Sequence, residues 1–264
     1  MIRLGILGSG SSGNSLVLVD EDGGALIVDD GFSRRETLAR LAQLRIAPER
    51  LIGMLLTHDH TDHSQGCRVF CDTLGIPLYT TCGTAEFLLR KGKLPSKVLT
   101  FEPGNQFLVG SFEVRSFAVH HDAEEPVGFV IGASGVRIGV ATDLGEVNAV
   151  ARKNLRGCDA LILESNYDRQ MLRDSERGLY LKRRIAGAIG HLDNRMTAAA
   201  LDDLVTERTR LLLLAHISRE CNKPEIALSA CREKLDRLGR RDIEVVPLRQ
   251  DAPSGVFDLR EVAS

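Results

Sequence analysis

Three of the seven histidines in this 264-residue sequence fall between positions 58 and 63, in Thr57-His58-Asp59-His60-Thr61-Asp62-His63. Imidazole and carboxylate groups are ligands for zinc, iron and manganese, and the lack of thiolate argues against a purely structural zinc site. Histidines and carboxylates placed just past a strand end can point inward together, which is what a cation needs. Two divalent ions about 3.5–4 Å apart would acidify a shared water and clamp the oxygens of an in-line displacement, the chemistry of a hydrolase. One cradle cannot complete two such sites. The remaining histidines are His120, His121, His191 and His216. His120-His121 ends an expected strand over 112–119, His216 ends one at 211–214, and Asp143 follows one at 136–140. Neighbours on a strand face opposite ways, so only one of His120 and His121 can be a ligand.

Other groups could handle substrate. His191, in Gly190-His191-Leu192-Asp193-Asn194, sits at an expected helix start, where backbone N–H groups favour an anion. Glu164 ends an expected strand at 160–163. Lys182-Arg183-Arg184, flanked by Arg169, Arg173, Arg177 and Arg195, reads either as a solvated helix face or as a track for phosphates. Gly8-Ser9-Gly10-Ser11-Ser12-Gly13 spells a dinucleotide fingerprint, but a strand rather than a helix follows it. It is therefore read as a tight hairpin near the site.

The elements that position these groups follow from apolar patterning. Strands are expected at 2–7, 15–19 and 25–28, then a helix capped by Ser33 and running to about Arg45. The apolar run 51–56 predicts a strand buried on both faces. Helices are expected over 64–74 and 84–91, with a short strand at 78–80 between them. Strands at 107–109, 112–117, 127–132 and 136–140 follow. The remainder reads as a helix over 146–155, a strand at 160–163, helices over 176–189 and 196–207, a strand at 211–214, a helix from Pro224 to about Leu238, and a last strand at 243–246. Two similar halves of strands then helices predict one α/β domain over 1–264, two sheets face to face with helices outside in a four-layer α/β/β/α sandwich.

His58-x-His60-x-Asp62-His63, a histidine near 121, Asp143 and His216 resemble the motif series of the metallo-β-lactamase superfamily over nearly the whole chain. The resemblance implies two divalent ions, zinc or manganese. His58, His60 and His121 would hold one; Asp62, His63 and His216 would hold the other. Asp143 would bridge them beside a bridging hydroxide, and Asp29 would orient a ligand histidine from behind. Its position before Asp122-Ala123-Glu124 makes His121 the ligand, with His120 a neighbour or substrate contact. In phosphodiesterase branches a carboxylate like Glu164 pairs with a histidine like His191 to polarise phosphate and protonate the leaving oxygen. Asp62 counts among the catalytic groups as well as the ligands.

The segments 7–15, 163–168, 190–194 and 214–222 resemble the WalJ/YycJ-like subgroup, which implies 5′-to-3′ DNA exonuclease activity in DNA repair. Lys182, Arg183, Asn194 and Ser218 become the candidate substrate contacts. Tyr167 and Cys221 depart from the subgroup, which carries His and Asn there. Rival readings are a thioesterase, lactonase or cyclic phosphodiesterase of the same fold, or a non-enzymatic regulator. His60 stands where di-iron redox members carry Glu, which disfavours that chemistry.

Composition agrees. Hydrophobic residues make up 43% and charged residues 27%, with formal net charge −2, so no global basic field marks a nucleic-acid binder. No stretch approaches the roughly 18 apolar residues that span a bilayer, and no leader pattern opens the chain, so a cytoplasmic protein is expected. The six cysteines form no CxxC pair and read as reduced thiols; Cys67 and Cys71 share a helix face, in a packing role.

Overall fold

The computed structural model describes residues 1–260. The first sheet holds β1 (Ile2–Gly8), β2 (Ser15–Val19), β3 (Ala25–Val28), β4 (Leu51–Leu55), β5 (Leu78–Thr81) and β6 (Val98–Phe101) in sequence order. The second runs from β7 (Gln106–Val109) through β8 (Phe112–Ala118), β9 (Val127–Ala133), β10 (Val136–Ala141), β11 (Ala160–Glu164) and β12 (Leu211–Ala215) to β13 (Glu244–Pro247). A further strand, β14 (Gly255–Leu259), closes the first sheet by pairing antiparallel with β1.

The faces of the sheets decide the layers. Leu4, Leu18 and Leu26 of the first sheet meet Phe112, Phe129, Ile138 and Leu213 of the second in one central core. Behind the first sheet, α1 (Arg34–Gln43), α3 (Cys67–Leu74) and α4 (Cys82–Arg90) bury Leu41, Phe70 and Leu88 against Val17, Ile27 and Met54. Behind the second, α5 (Ala149–Leu155), α8 (Asn194–Leu204) and α9 (Pro224–Arg237) bury Leu155, Leu201 and Leu235 against Leu161 and Leu212. The result is the four-layer α/β/β/α sandwich. Strands β11 and β12 are buried at every residue, as parallel strands covered on both faces must be. Each fully buried Leu, Ile or Phe contributes about 1.5–3 kcal/mol.

Direction matters more to function. Strands β3, β4 and β5 run parallel, as do β10, β11, β12 and β13, while β8 runs with β10 because β9 opposes both. The ends of β1, β3, β4, β8, β10, β11 and β12 therefore open on a single edge, where loops free of strand pairing collect polar side chains.

Several elements differ from the sequence expectation. The helix over 64–74 is two: a short α2 (Thr61–Ser64) that begins inside the histidine cluster, and α3 after Gly66. Helix α5 starts only at Ala149, because Asn148 caps it by accepting from the Ala151 amide at 2.9 Å. The helix expected over 176–189 is shorter, α7 (Leu179–Ile185), and an unexpected helix, α6 (Arg169–Asp174), capped by Asp168, precedes it. Beyond α7 the chain turns back tightly, the His191 amide donating to Ile185 O at 2.9 Å. Strand β14 was unreadable because it is an edge strand, only half-covered, with a weak alternation. No helix among the described residues is long and apolar enough to cross a membrane.

Candidate metal centre

The loop after β4 folds the cradle by making His60 the residue before α2, so that His60 O accepts from the amides of His63 and Ser64 at 3.0 and 2.9 Å. That turn faces His58, His60 and His63 the same way. The ligand atoms of His58, His60 and His121 lie within 4.8 Å of one another, as do those of Asp62, His63 and His216. Asp143 stands between the two sets, its carboxylate 2.9 Å from His63 Nε2, 3.0 Å from His216 Nδ1 and 3.8 Å from His121 Nε2. The seven ligands proposed from sequence are thus brought to one place.

His121 faces inward and donates from Nδ1 to Gly190 O at 3.0 Å, whereas His120 is half-exposed and pairs with Glu146 outside the site. Gly190 is required there: a Cβ would lie 2.2 Å from Arg184 O. Cys67 and Cys71 are buried under α3, where burial raises both thiols, and they take no part in the centre.

The centre gathers buried carboxylates and imidazoles within ligand distance of one another. Burial opposes a proton on His63 and His216, yet Asp143 outweighs it, with Asp29 helping at His63, and holds both imidazoliums well above the ordinary histidine range. His58, buried beside His63, is pushed well below that range. The Nε2 atoms of His58 and His216 are buried without a hydrogen bond. Unpartnered imidazole nitrogens converging with carboxylates are what divalent cations of the zinc or manganese kind would satisfy. The donor set fits.

Side chains behind the ligands hold them. Asp29 Oδ2 pairs with His63 Nδ1 at 2.7 Å, while its Oδ1 accepts from the Thr57 amide at 2.8 Å. The Thr57 hydroxyl lies 3.0 Å from His58 Nδ1. Asp29 (φ 58) and His216 (φ 53) both adopt left-handed backbone, a strained conformation that points each side chain inward from a strand end. The hairpin over 8–14 does lie at the site. Its buried Asn14 places Nδ2 2.9 Å from His63 Nε2, and its Ser9 hydroxyl accepts from the His216 amide at 2.8 Å. Asn14, Ser9 and Asn166, which donates to His216 O at 2.9 Å, were not candidates. Nothing local marks them; they are polar turn residues until the sheets assemble.

His191 Nδ1 lies 2.7 Å from Glu164 Oε1 and 3.5 Å from Asp143 Oδ1. Glu164 is fully buried, its other oxygen accepting from the amides of Leu144 and Leu192, both at 3.1 Å. His191 lies outside α8, which begins at Asn194. Asp193 caps α8, accepting from the Arg195 and Met196 amides at 2.7 and 2.8 Å, so those groups are not offered to a substrate. What places His191 is the loop after β11, where Asn166 N donates to Leu192 O at 2.9 Å.

Comparison with known proteins bears on this constellation. Residues 25–217 match the family described as the Beta-lactamase superfamily domain. The chain is 33% identical over 242 residues to an exodeoxyribonuclease YycJ from Bacillus anthracis, covering 90% of each. It is 33% identical to an exodeoxyribonuclease WalJ from Streptococcus pneumoniae, covering 85% of each. The chain belongs to the metallo-β-lactamase superfamily, beside the YycJ/WalJ proteins. The crystal structure of the metallo-β-lactamase fold protein YhfI from Bacillus subtilis matches with a TM-score of 0.72 at 16% identity, covering 97% of this chain and 98% of that one. This superfamily member is a metal-dependent hydrolase.

The substrate side of the superfamily site is arranged differently from the sequence reading. A cavity of about 200 Å³ opens on the ligands and is lined by His191, Asp122, Arg177, Arg184 and Ser11. Lys182 and Arg183 face away from it into a separate hollow, Lys182 donating to the carbonyls of Arg173 and Ser175 at 2.6 Å. Helix phase explains this: Leu181, Arg184 and Ile185 share the cavity face of α7, and 182 and 183 cannot. Asn194 is buried and engaged by Ser165 and Asn222, and the Ser218 hydroxyl accepts from the Cys221 amide at 3.1 Å; neither lines the cavity. The two departures from the subgroup, Tyr167 and Cys221, pack in one small cluster with Leu172 and Ile185, outside the ligand set.

Proposed function

We propose that the protein is an exodeoxyribonuclease that removes nucleotides from the 5′ ends of DNA, in the service of DNA repair, using two bound zinc or manganese ions. The observation that carries the phosphodiesterase reading is the His191–Glu164 pair, 2.7 Å apart and beside Asp143, at the mouth of a cavity that also carries Arg177 and Arg184. The relatives named as exodeoxyribonucleases support the choice of DNA; the 5′ polarity and the repair role rest on the subgroup resemblance.

His58, His60 and His121 would hold one ion and Asp62, His63 and His216 the other, with Asp143 shared between them. When bound, the ions supply an acidified water and offset phosphate charge. The chain's own groups do the rest. Arg184 and Arg177 attract and orient the phosphate. Asp122 fixes Arg184 by an ion pair and so sets where that guanidinium points. Glu164 accepts a hydrogen bond from His191 Nδ1–H, which leaves the Nε2 proton to be given to the leaving oxygen. Burial opposes charge on His191, but Glu164 outweighs it and raises its affinity for the proton. A general acid of this kind contributes about 10²–10⁴-fold.

The test is release of mononucleotides from linear 5′-phosphorylated DNA by the metal-loaded protein, run beside thioester and lactone substrates. Nucleotide release that His191→Ala lowers by about a hundredfold or more is expected. Thioester or lactone turnover with intact DNA would sink the proposal.

A further inference from the structure

Helix α7 separates two hollows. Its inner face closes the metal-centre cavity with Leu181, Arg184 and Ile185. Its outer face, through Leu179, Lys182, Arg183 and Ala186, borders a second hollow of about 470 Å³ whose floor includes Tyr167, Leu172 and Met196. Tyr180 stands on the crest between the two faces and is 83% exposed, with Leu179 beside it 74% exposed. A ring left this open in water buries little apolar surface in the free protein. The ring is flanked in helical spacing by Arg183 and Arg184, three and four positions on.

The surrounding charge is one-sided. Between positions 169 and 184 there are six cations against two acids, in a chain whose net charge is −2. Most of these cations are engaged: Arg169 with Asp193, Arg177 with Glu220, Arg184 with Asp122, and Lys182 with backbone carbonyls. Among the described residues, Arg173 and Arg183 have no ion-pair partner, and both line the outer hollow. An unpartnered aromatic face beside unpartnered guanidinium groups is the combination that holds single-stranded nucleic acid, the ring stacking on a base and the cations meeting phosphates.

We propose that the crest of α7 is a binding site for single-stranded DNA: Tyr180 stacks on a base next to the scissile phosphate, and Arg173 and Arg183 seat the backbone in the outer hollow. The inference rests on the nuclease reading and extends it, because it makes α7 the wall over which the strand passes.

Binding of a fluorescent, phosphorothioate-linked 12-mer to the metal-loaded protein, followed by anisotropy, tests this. The same oligonucleotide carrying abasic sites serves as the comparison, and nucleotide release from ordinary DNA is measured in parallel. Tyr180→Ala should weaken binding of the base-bearing strand about tenfold, and Tyr180→Phe should restore it. The abasic strand should bind the wild type weakly and be indifferent to Tyr180→Ala. Arg173→Ala with Arg183→Ala should reduce the slope of log affinity against log salt by about 1.4, the value for two phosphate contacts on a single strand. Equal binding of both strands by wild type and Tyr180→Ala, with nucleotides still released, overturns the crest and leaves the nuclease reading standing. No strand bound and no nucleotide released overturns both.

Discussion

At His191 the decisive quantity is the proton, and one carboxylate controls it. Glu164 outweighs burial and holds the imidazolium above its ordinary range, so the acid form persists to higher pH. Replacing Glu164 by Gln keeps the shape and removes the charge. The sign follows: His191 then loses its proton at lower pH, and the basic limb of the kcat–pH profile moves toward acid. Activity of Glu164→Gln should therefore fall more at pH 8 than at pH 6, and a uniform loss with the limb unmoved would make Glu164 a purely structural group. The sequence was informative at this scale wherever parity or a strand end fixed a direction. Asp143 is such a case; for His120 and His121 parity says only that one of them points inward, and the family resemblance supplies the choice of His121. It was uninformative for Lys182 and Arg183, because a run of cations does not state where a helix begins. Once α7 starts after Gly178, Arg184 takes the cavity face, and Lys182 and Arg183 cannot.

At the scale of elements, the buried strands were readable, while the half-covered strands β6 and β14 and the joints were not. Strands β4, β11 and β12 announce themselves as unbroken apolar runs because both faces are covered. Helix α6 and strand β14 carry no comparable run and depend on neighbours far away in sequence. The joints nonetheless set the ligands. Gly31, after β3, lies so close to the cradle that a Cβ there would come 1.7 Å from Asp62 O. Backbone cannot yield as a side-chain tip can, so Gly31→Ala must push the loop carrying Asp62 and His63 away from Asp143. It should cost about 1–3 kcal/mol of stability, the usual price of overpacking, and leave less than a full complement of metal by elemental analysis. Gly178→Ala, where a Cβ would meet nothing, is the matched control and should keep both. If Gly31→Ala holds metal as the wild type does, the cradle is more pliable than its contacts imply.

For the whole molecule, the centre joins the ends of strands from both sheets, so whatever fills it ties the sandwich together. Ligands from β4, β8, β10 and β12 mean that a bound ion favours the folded state by mass action and raises Tm. Protons compete for the same atoms. Burial disfavours protonation of His63 and His216, but Asp143 outweighs it and raises both well above the ordinary range, so the metal-free folded protein carries these protons and must release them on binding. Each proton released strengthens binding about tenfold per pH unit, about 1.4 kcal/mol. The gap in Tm between metal-loaded and chelator-treated protein should therefore widen as pH rises, by roughly 3–6 °C per unit for each proton. Ordinary histidines would have released theirs by about pH 7.5, since their unperturbed value is about 6.5, and the gap would then be flat. Here the widening should continue from pH 7.5 to 8.5 in calorimetry at fixed free zinc or manganese. A plateau over that interval would show that the carboxylates do not hold the two imidazoles charged, and that the metal-free centre is neutral at its histidines.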